Sequence, residues 1–194
     1  MIERRAKHVL LAGTGGGVGT TTTTALLFTA LAVDGVAPEL LDHTGGELGL
    51  RLTAGDEVRS VDATLTLHDL GPHAFWAARD ALASPDAFVV VTTAATPAGL
   101  AAAERFLAEV RSVHGSGGLR RVLVAAIGVF GRHRVTRLVE RLHDTYGRRL
   151  VVVIPQDVAL ASGGRVPQNR LRPDTRRAQG ELAALLRERL STHR

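Results

Sequence analysis

Residues 13–24 read GTGGGVGTTTTT, between the apolar run His8–Ala12 and a helix-forming stretch that begins at Thr21. A glycine-rich turn between a strand and a helix lets successive backbone N–H groups line a concave nest. The helix macrodipole at that point adds a field that favours anions. In phosphate-cradling loops of this kind a lysine reaches the outer phosphates, and the next Ser or Thr hydroxyl ligates Mg²⁺. Here Thr20 stands where the lysine would be, and Thr21 supplies the hydroxyl. The only lysine in the chain is Lys7, upstream of the first strand. The loop has the shape that holds phosphates without the charge that promotes their transfer.

Outward from the loop, short β-rich apolar runs alternate with longer helical ones. Strands are expected at His8–Ala12, Pro38–Asp42, Leu65–Asp69, Ala87–Thr92, Arg121–Ile127 and Leu150–Ile154. Helices are expected at Thr21–Val33, His73–Leu82, Pro97–Val113, Val135–Tyr146 and Thr175–Leu190. Residues 112–118 (SVHGSGG) read as a loop and 161–174 as a polar connector. Such alternation predicts an α/β doubly wound, mostly parallel sheet with helices on both faces, a three-layer fold. Ligands of these sheets sit beyond the carboxyl ends of the strands. The loop, Asp42, Asp69 and Pro155–Asp157 all fall at that edge.

The 194 residues suit one domain, 1–194, able to bury roughly 70% of its unfolded surface. No apolar run approaches the roughly 20 residues of a membrane span, and the opening MIERRAKHVLLAG reads as a buried strand rather than a signal peptide. There are no cysteines, which excludes disulfides, thiolate chemistry and Cys-based zinc sites and makes a cytoplasmic address the default. The net charge of +5 comes almost wholly from arginine, clustered at 120–121, 132–141, 148–149 and 170–177. Such clusters suit either a solvated surface or non-specific DNA contacts through phosphate. With Tyr146 the single tyrosine and Trp76 the single tryptophan, there is little to stack on bases.

The same residues resemble the MinD/ParA family of deviant-P-loop ATPases, almost from end to end. Gly15–Thr22 (GGGVGTTT) is similar to the family's KGGVGKTT loop, and Leu40–Leu52 (LLDHTGGELGLRL) to its Asp-x-Asp switch. His68–Pro72 (HDLGP) is similar to its Walker B strand end, and VVVIPQDVALASGG to its last strand and base-side Pro-x-Asp turn. The TadZ/CpaE-type, septum-site branch, whose members often lack the loop lysine, is the nearest in pattern.

The resemblance implies ATP or ADP with Mg²⁺, held by Gly15, Gly16, Gly17, Val18, Gly19, Thr20, Thr21 and Thr22, with Pro155 and Asp157 on the base side. It implies a metal set of Thr21, Asp42 and Asp69. It also implies a homodimer through the switch face, and a protein that positions a partner complex in the bacterial cell. Departures bear on the chemistry. The signature lysine is Gly15, the loop lysine is Thr20, the second switch carboxylate is Thr44, and 125–128 (AAIG) replaces the adenine-reading Asn. A hydrogen bond to a charged group is worth roughly 1.5–3 kcal/mol. Two missing lysines therefore weaken triphosphate binding by roughly two to four decades unless something compensates. No catalytic residue is assigned, and the expectation is a pseudo-ATPase or very slow ATPase.

Alternatives stand beside this reading. An arginine (Arg51, Arg165 or Arg170) in place of the lysine would give an active ATPase. A dinucleotide-binding oxidoreductase would use Asp42 on a ribose, but Val18 occupies the third glycine position of that fingerprint. Histidines 43, 68 and 73 lie near one edge without standard ligand spacing, so satisfied or solvated side chains are expected. The last helix carries a stripe of Leu182, Leu185, Leu186 and Leu190, suited to packing on the domain rather than to a membrane.

Overall fold

The computed structural model describes residues 5–32, 34–52, 60–72, 75–129, 135–161 and 163–192. In chain order the elements are β1 (Lys7–Gly13), α1 (Thr20–Leu31), β2 (Val36–Asp42), α2 (Glu47–Arg51), β3 (Ser60–Asp69), α3 (Phe75–Ala81) and β4 (Ala87–Ala94). Then come α4 (Pro97–Leu119), β5 (Val122–Ile127), α5 (Thr136–Tyr146), β6 (Val151–Ile154), α6 (Val158–Ala161) and α7 (Pro173–Thr192). The strands form one sheet in the order β2-β3-β1-β4-β5-β6, with every pairing parallel. Parallel neighbours need crossovers, and helices cover both faces as expected for an α/β doubly wound fold.

Alternation along each strand sends side chains to two cores. Val9 and Leu11 of β1, Leu67 of β3 and Ile154 of β6 pack with Leu26 and Leu27 of α1, Leu48 of α2 and Leu182 and Leu186 of α7. On the other face Val89 and Val91 of β4 and Val124 of β5 pack with Ala78 of α3, Phe106 and Leu107 of α4 and Leu142 of α5. The leucine stripe of α7 is thus an interior face, with Leu182, Leu185 and Leu186 all buried. Among the described residues no helix is long and apolar enough to cross a membrane.

β1 lies between β3 and β4, where the chain's successive crossovers leave in opposite directions. This topological switch point is where doubly wound sheets open a crevice at their carboxyl edge. The glycine loop, residues 14–19, leaves the sheet there. β2 is an edge strand, which tolerates Pro38, and the register shifts between Pro38 and Glu39.

Two expectations about local structure change. Residues 112–118 are not a loop: helical backbone runs on to Leu119, interrupted only at Gly115 (φ 62°, ψ −158°). Gly118 closes against the His114 and Val110 side chains, and buried Leu119 returns the segment to the core. Its glycines serve close packing as well as a break. The second is α2, a helix where only a switch segment was expected, held by buried Leu48.

At the carboxyl edge β5 and β6 approach very closely. A Cβ on Gly128 would lie 2.4 Å from the backbone nitrogen of Gln156 and 2.9 Å from the carbonyl carbon of Pro155. Backbone cannot yield as a side-chain tip can. Gly128→Ala is therefore expected to destabilise by about 1–3 kcal/mol, the usual cost of overpacking, measurable as a lower urea midpoint.

Candidate functional site

The loop departs from Gly13, whose N–H donates to Gly71 O, while Thr14 N–H donates to Thr92 O. Gly17 and Gly19 have φ of +71° and +84°, a left-handed backbone that favours glycine. Gly19 precedes the first residue of α1 without a capping side chain, and its carbonyl accepts both the N–H and the hydroxyl of Thr23. The first-turn amides of α1 therefore receive no side-chain cap at this position. A Cβ on Gly15, Gly16 or Gly17 would meet nothing within 4 Å, so the mouth of the loop is open.

Threonine hydroxyls anchor the loop from below. Thr20, at the lysine position, is 5% exposed, and its Oγ1 lies 2.7 Å from Thr92 Oγ1 on β4. Thr14 Oγ1 lies 2.9 Å from Thr93 Oγ1. A Cβ on Gly13 would stand 2.5 Å from the Thr20 hydroxyl. The side chain that replaces the lysine thus points into the protein, and only the backbone of Thr20 is left to face a ligand.

Asp69 ends β3 and is fully buried. Its Oδ1 accepts the Gly71 N–H at 3.1 Å, while Oδ2 has no hydrogen-bond partner among the described residues. Burial raises its pKa, and the Asp42 and Glu47 charges add to that; the Thr21 hydroxyl and the Gly71 N–H oppose it. A buried acid left with an unpartnered oxygen beside a hydroxyl is a donor set that fits a divalent cation. Among the described residues no group of three or more His, Asp or Glu side chains gathers to hold a metal ion. Such a cation would rest on Thr21, Asp69, phosphate oxygens and water.

Asp42 is used differently. Its Oδ1 accepts the N–H and hydroxyl of Thr44, and its Oδ2 accepts the N–H groups of Gly46 and Leu48. Four donors use the carboxylate's acceptor sites on its own turn and on the start of α2. Burial pushes its pKa up, but these hydrogen bonds outweigh it and the net shift is downward. Asp157 is likewise built into the fold. It is buried, and accepts the N–H of Ala159 through Oδ1 and of Arg172 through Oδ2. Burial raises its pKa, while those amides, the Thr175 hydroxyl and the Arg172 charge bring it below the usual value.

A cavity of about 280 Å³ adjoins the loop. It is walled by Gly17–Gly19, by Thr22 and Thr23 of α1, and by the ends of β5 and β6 from Ile127 and Pro155 to Asp157. Six of the residues picked from sequence (Gly17, Val18, Gly19, Thr22, Pro155 and Asp157) therefore border one space. Thr21 and Asp69 meet on the β3 side, and Gly15 and Gly16 line the open mouth. Arg51 also lines the cavity, whereas Arg165 and Arg170 are exposed outside it. Ile127 and Gly128 complete the wall; the apolar run before Gly128 signalled a strand end but not a cavity.

The histidines form a row across the sheet edge. His8 Nδ1 lies 3.0 Å from His68 Nε2, and His43 Nε2 lies 3.2 Å from His68 Nδ1. His43 and His68 are thus satisfied by one another and by His8, which the register of β1 on β3 brings beside His68; His73 lies outside the described residues. Burial, then the charges of His8 and His43, lower the pKa of His68 against the pull of Glu39. Its folded pKa lies below 6.5, so the unfolded chain binds more protons, and stability falls as pH drops from 6.5 through the folded value. His68→Gln is expected to flatten that decline in urea midpoints measured between pH 7 and 5.

Some of the arginines are taken up by the fold or by surface ion pairs. Arg121 donates to the carbonyls of Leu82, Ser84 and Ala87, and Arg189 to those of Arg120 and Val122. Burial lowers the pKa of Arg189 to about 10. Arg141, Arg149 and Arg177 pair with Glu104, Glu188 and Asp174. Residues 132–134 of the remaining cluster lie outside the described residues.

Neither a family model nor a curated protein matches the sequence. Among solved structures, the chain is similar to the nucleotide-binding protein of Archaeoglobus fulgidus in complex with ADP, in which cobalt was found. The TM-score is 0.52 over 92% of this chain and 88% of that one, at 14% identity. At that identity the likeness shows a shared α/β fold.

Proposed function

We propose that this protein binds a purine nucleotide with Mg²⁺ at the 13–24 loop and acts as a MinD/ParA-like assembly switch with little or no hydrolysis. One observation carries the reading: an uncapped glycine loop at the N-terminus of α1 opens onto a cavity walled by the β5 and β6 ends. In an α/β sheet that crevice at the switch point is the usual place for a nucleotide. The ADP complex of the A. fulgidus protein, which shares the fold over 92% of this chain, supports it.

In this reading the amides of Gly15–Thr20 hold the phosphates, Thr22 lines the inner phosphate, and Thr21 with Asp69 faces the cation. Asp42 acts at one remove, shaping the 43–51 segment rather than ligating. Hydrolysis lacks its main electrostatic help, because no lysine is present to stabilise charge developing on the transferred group. Binding without turnover suits a protein that positions a partner complex by occupancy, as one domain that dimerises through its switch face.

The test is equilibrium dialysis against labelled Mg-ATP, followed by chromatography of the retained nucleotide. Retention of intact triphosphate after hours is expected. Rapid conversion to ADP, abolished by Asp69→Ala, would instead make the protein an active ATPase.

A further inference from the structure

We propose that Arg51 supplies the missing positive charge, and supplies it at the inner phosphates, so that nucleoside diphosphates and triphosphates bind about equally well. This rests on the nucleotide reading above and adds to it the residue and the specificity.

Arg51 is the one cationic side chain lining the cavity among the described residues. It closes α2, and α2 is fixed at both ends. Asp42 holds its first amides, and buried Leu48 roots it in the core. The guanidinium reaches across to the connector after β6, where Nη1 donates to Leu160 O at 3.3 Å and Gly164 O at 3.4 Å. The Arg51 carbonyl accepts the Val166 N–H at 3.0 Å, so the two segments are tied twice.

Both side-chain acceptors are neutral carbonyls at long distance, and no carboxylate pairs with Arg51 among the described residues. A guanidinium has five N–H donors in a rigid fork that matches phosphate oxygens. The two bonds from Nη1 leave most of that fork for an anion entering the cavity.

Position sets which phosphate it meets. The cavity is walled by Thr22 and Thr23 on the first turn of α1 and by the β5–β6 edge, and neither Thr21 nor Asp69 lines it. The Thr20 side chain is sealed beneath the loop against Thr92, and Thr44 spends its hydroxyl on Asp42. Neither offers a terminal phosphate any charge. The cation therefore sits at the near end of the nucleotide, and the far end has only amides and whatever Mg²⁺ brings.

The experiment is a calorimetric titration of Mg-ADP, Mg-ATP and AMP into the wild-type protein, Arg51→Ala, Arg51→Gln and Arg51→Lys. Wild-type affinities for ADP and ATP are expected to agree within about threefold. Loss of a charge-assisted hydrogen bond lowers both by about ten- to a hundredfold in Arg51→Ala. Arg51→Gln keeps a donor for the 160–164 carbonyls without the charge, so it separates anion binding from local folding. The same loss with an unchanged melting temperature is expected there, and Arg51→Lys should recover part of it. Nucleotide binding unaffected by Arg51→Gln, or ATP bound tenfold more tightly than ADP by the wild type, would overturn the assignment. A wild-type protein that binds neither nucleotide would overturn the nucleotide reading itself, and this assignment with it.

Discussion

Thr20→Lys is expected to tighten Mg-ATP binding by about ten- to a hundredfold, the equivalent of one charged hydrogen bond of roughly 1.5–3 kcal/mol. The native side chain lies buried, with its hydroxyl 2.7 Å from that of Thr92. An ammonium cannot remain there, since burying it unpaired costs several kcal/mol. It must swing over the loop, and the space above Gly15–Gly17 is open. In that position it meets the outer phosphates, so the variant should also prefer ATP over ADP, unlike the wild type. The structural cost is the Thr20–Thr92 contact, about 0.5–1.5 kcal/mol. Thr92 retains an acceptor in Ala12 O at 3.4 Å, which limits the fall in melting temperature. Titration of both nucleotides into Thr20→Lys checks this. An affinity unchanged for ATP would mean that the loop does not face phosphate.

Asp69→Asn is expected to stabilise the metal-free protein at neutral pH and to remove its response to Mg²⁺. The carboxylate is fully buried, with one oxygen unpartnered among the described residues. Burial holds its folded pKa above 3.8, so the folded state binds more protons than the unfolded chain above that value. Stability therefore falls as pH rises from 3.8 through the folded pKa and stays low beyond it. An amide carries no charge and removes that slope. With chelator at pH 7 the urea midpoint of Asp69→Asn should exceed that of the wild type, because a neutral amide is buried in place of a charge. Added Mg²⁺ should raise the midpoint of the wild type and leave Asp69→Asn unmoved. Urea melts of both proteins across pH 4–7, with chelator and with Mg²⁺, measure all of this. A destabilised Asp69→Asn at neutral pH would assign the carboxylate to the fold alone.

Much of the architecture was legible because parallel strands buried on both faces read as unbroken apolar runs. His8–Ala12 and Ala87–Thr92 are such runs, and both became central strands. The glycine loop was legible for a similar reason, since few other contexts need left-handed backbone just before a helix. Residues 112–118 read as a loop because three glycines sit there, whereas helical backbone continues to Leu119, whose burial in the core is a tertiary contact. The short helix α2 has too few residues for periodicity to show, and depends on a carboxylate six residues before Leu48.

Side-chain roles were harder to read than positions. Asp42 and Asp157 stand at strand ends where ligands gather, yet their oxygens are taken up by nearby amides. Sequence cannot distinguish a carboxylate that faces a ligand from one that caps a turn. In the sequence Arg51 is one of three equivalent candidate arginines; the cavity separates it from Arg165 and Arg170. His8 joined His43 and His68 only once the register of β1 on β3 was known.

The most direct test of nucleotide binding at this loop is calorimetric titration of Mg-ADP into the wild-type protein and into Thr21→Ala. Saturable binding in the micromolar range, lost or strongly weakened in Thr21→Ala, is the predicted result. No heat of binding up to millimolar nucleotide would contradict it, and would leave the glycine loop as a structural turn in a protein that works through its surfaces.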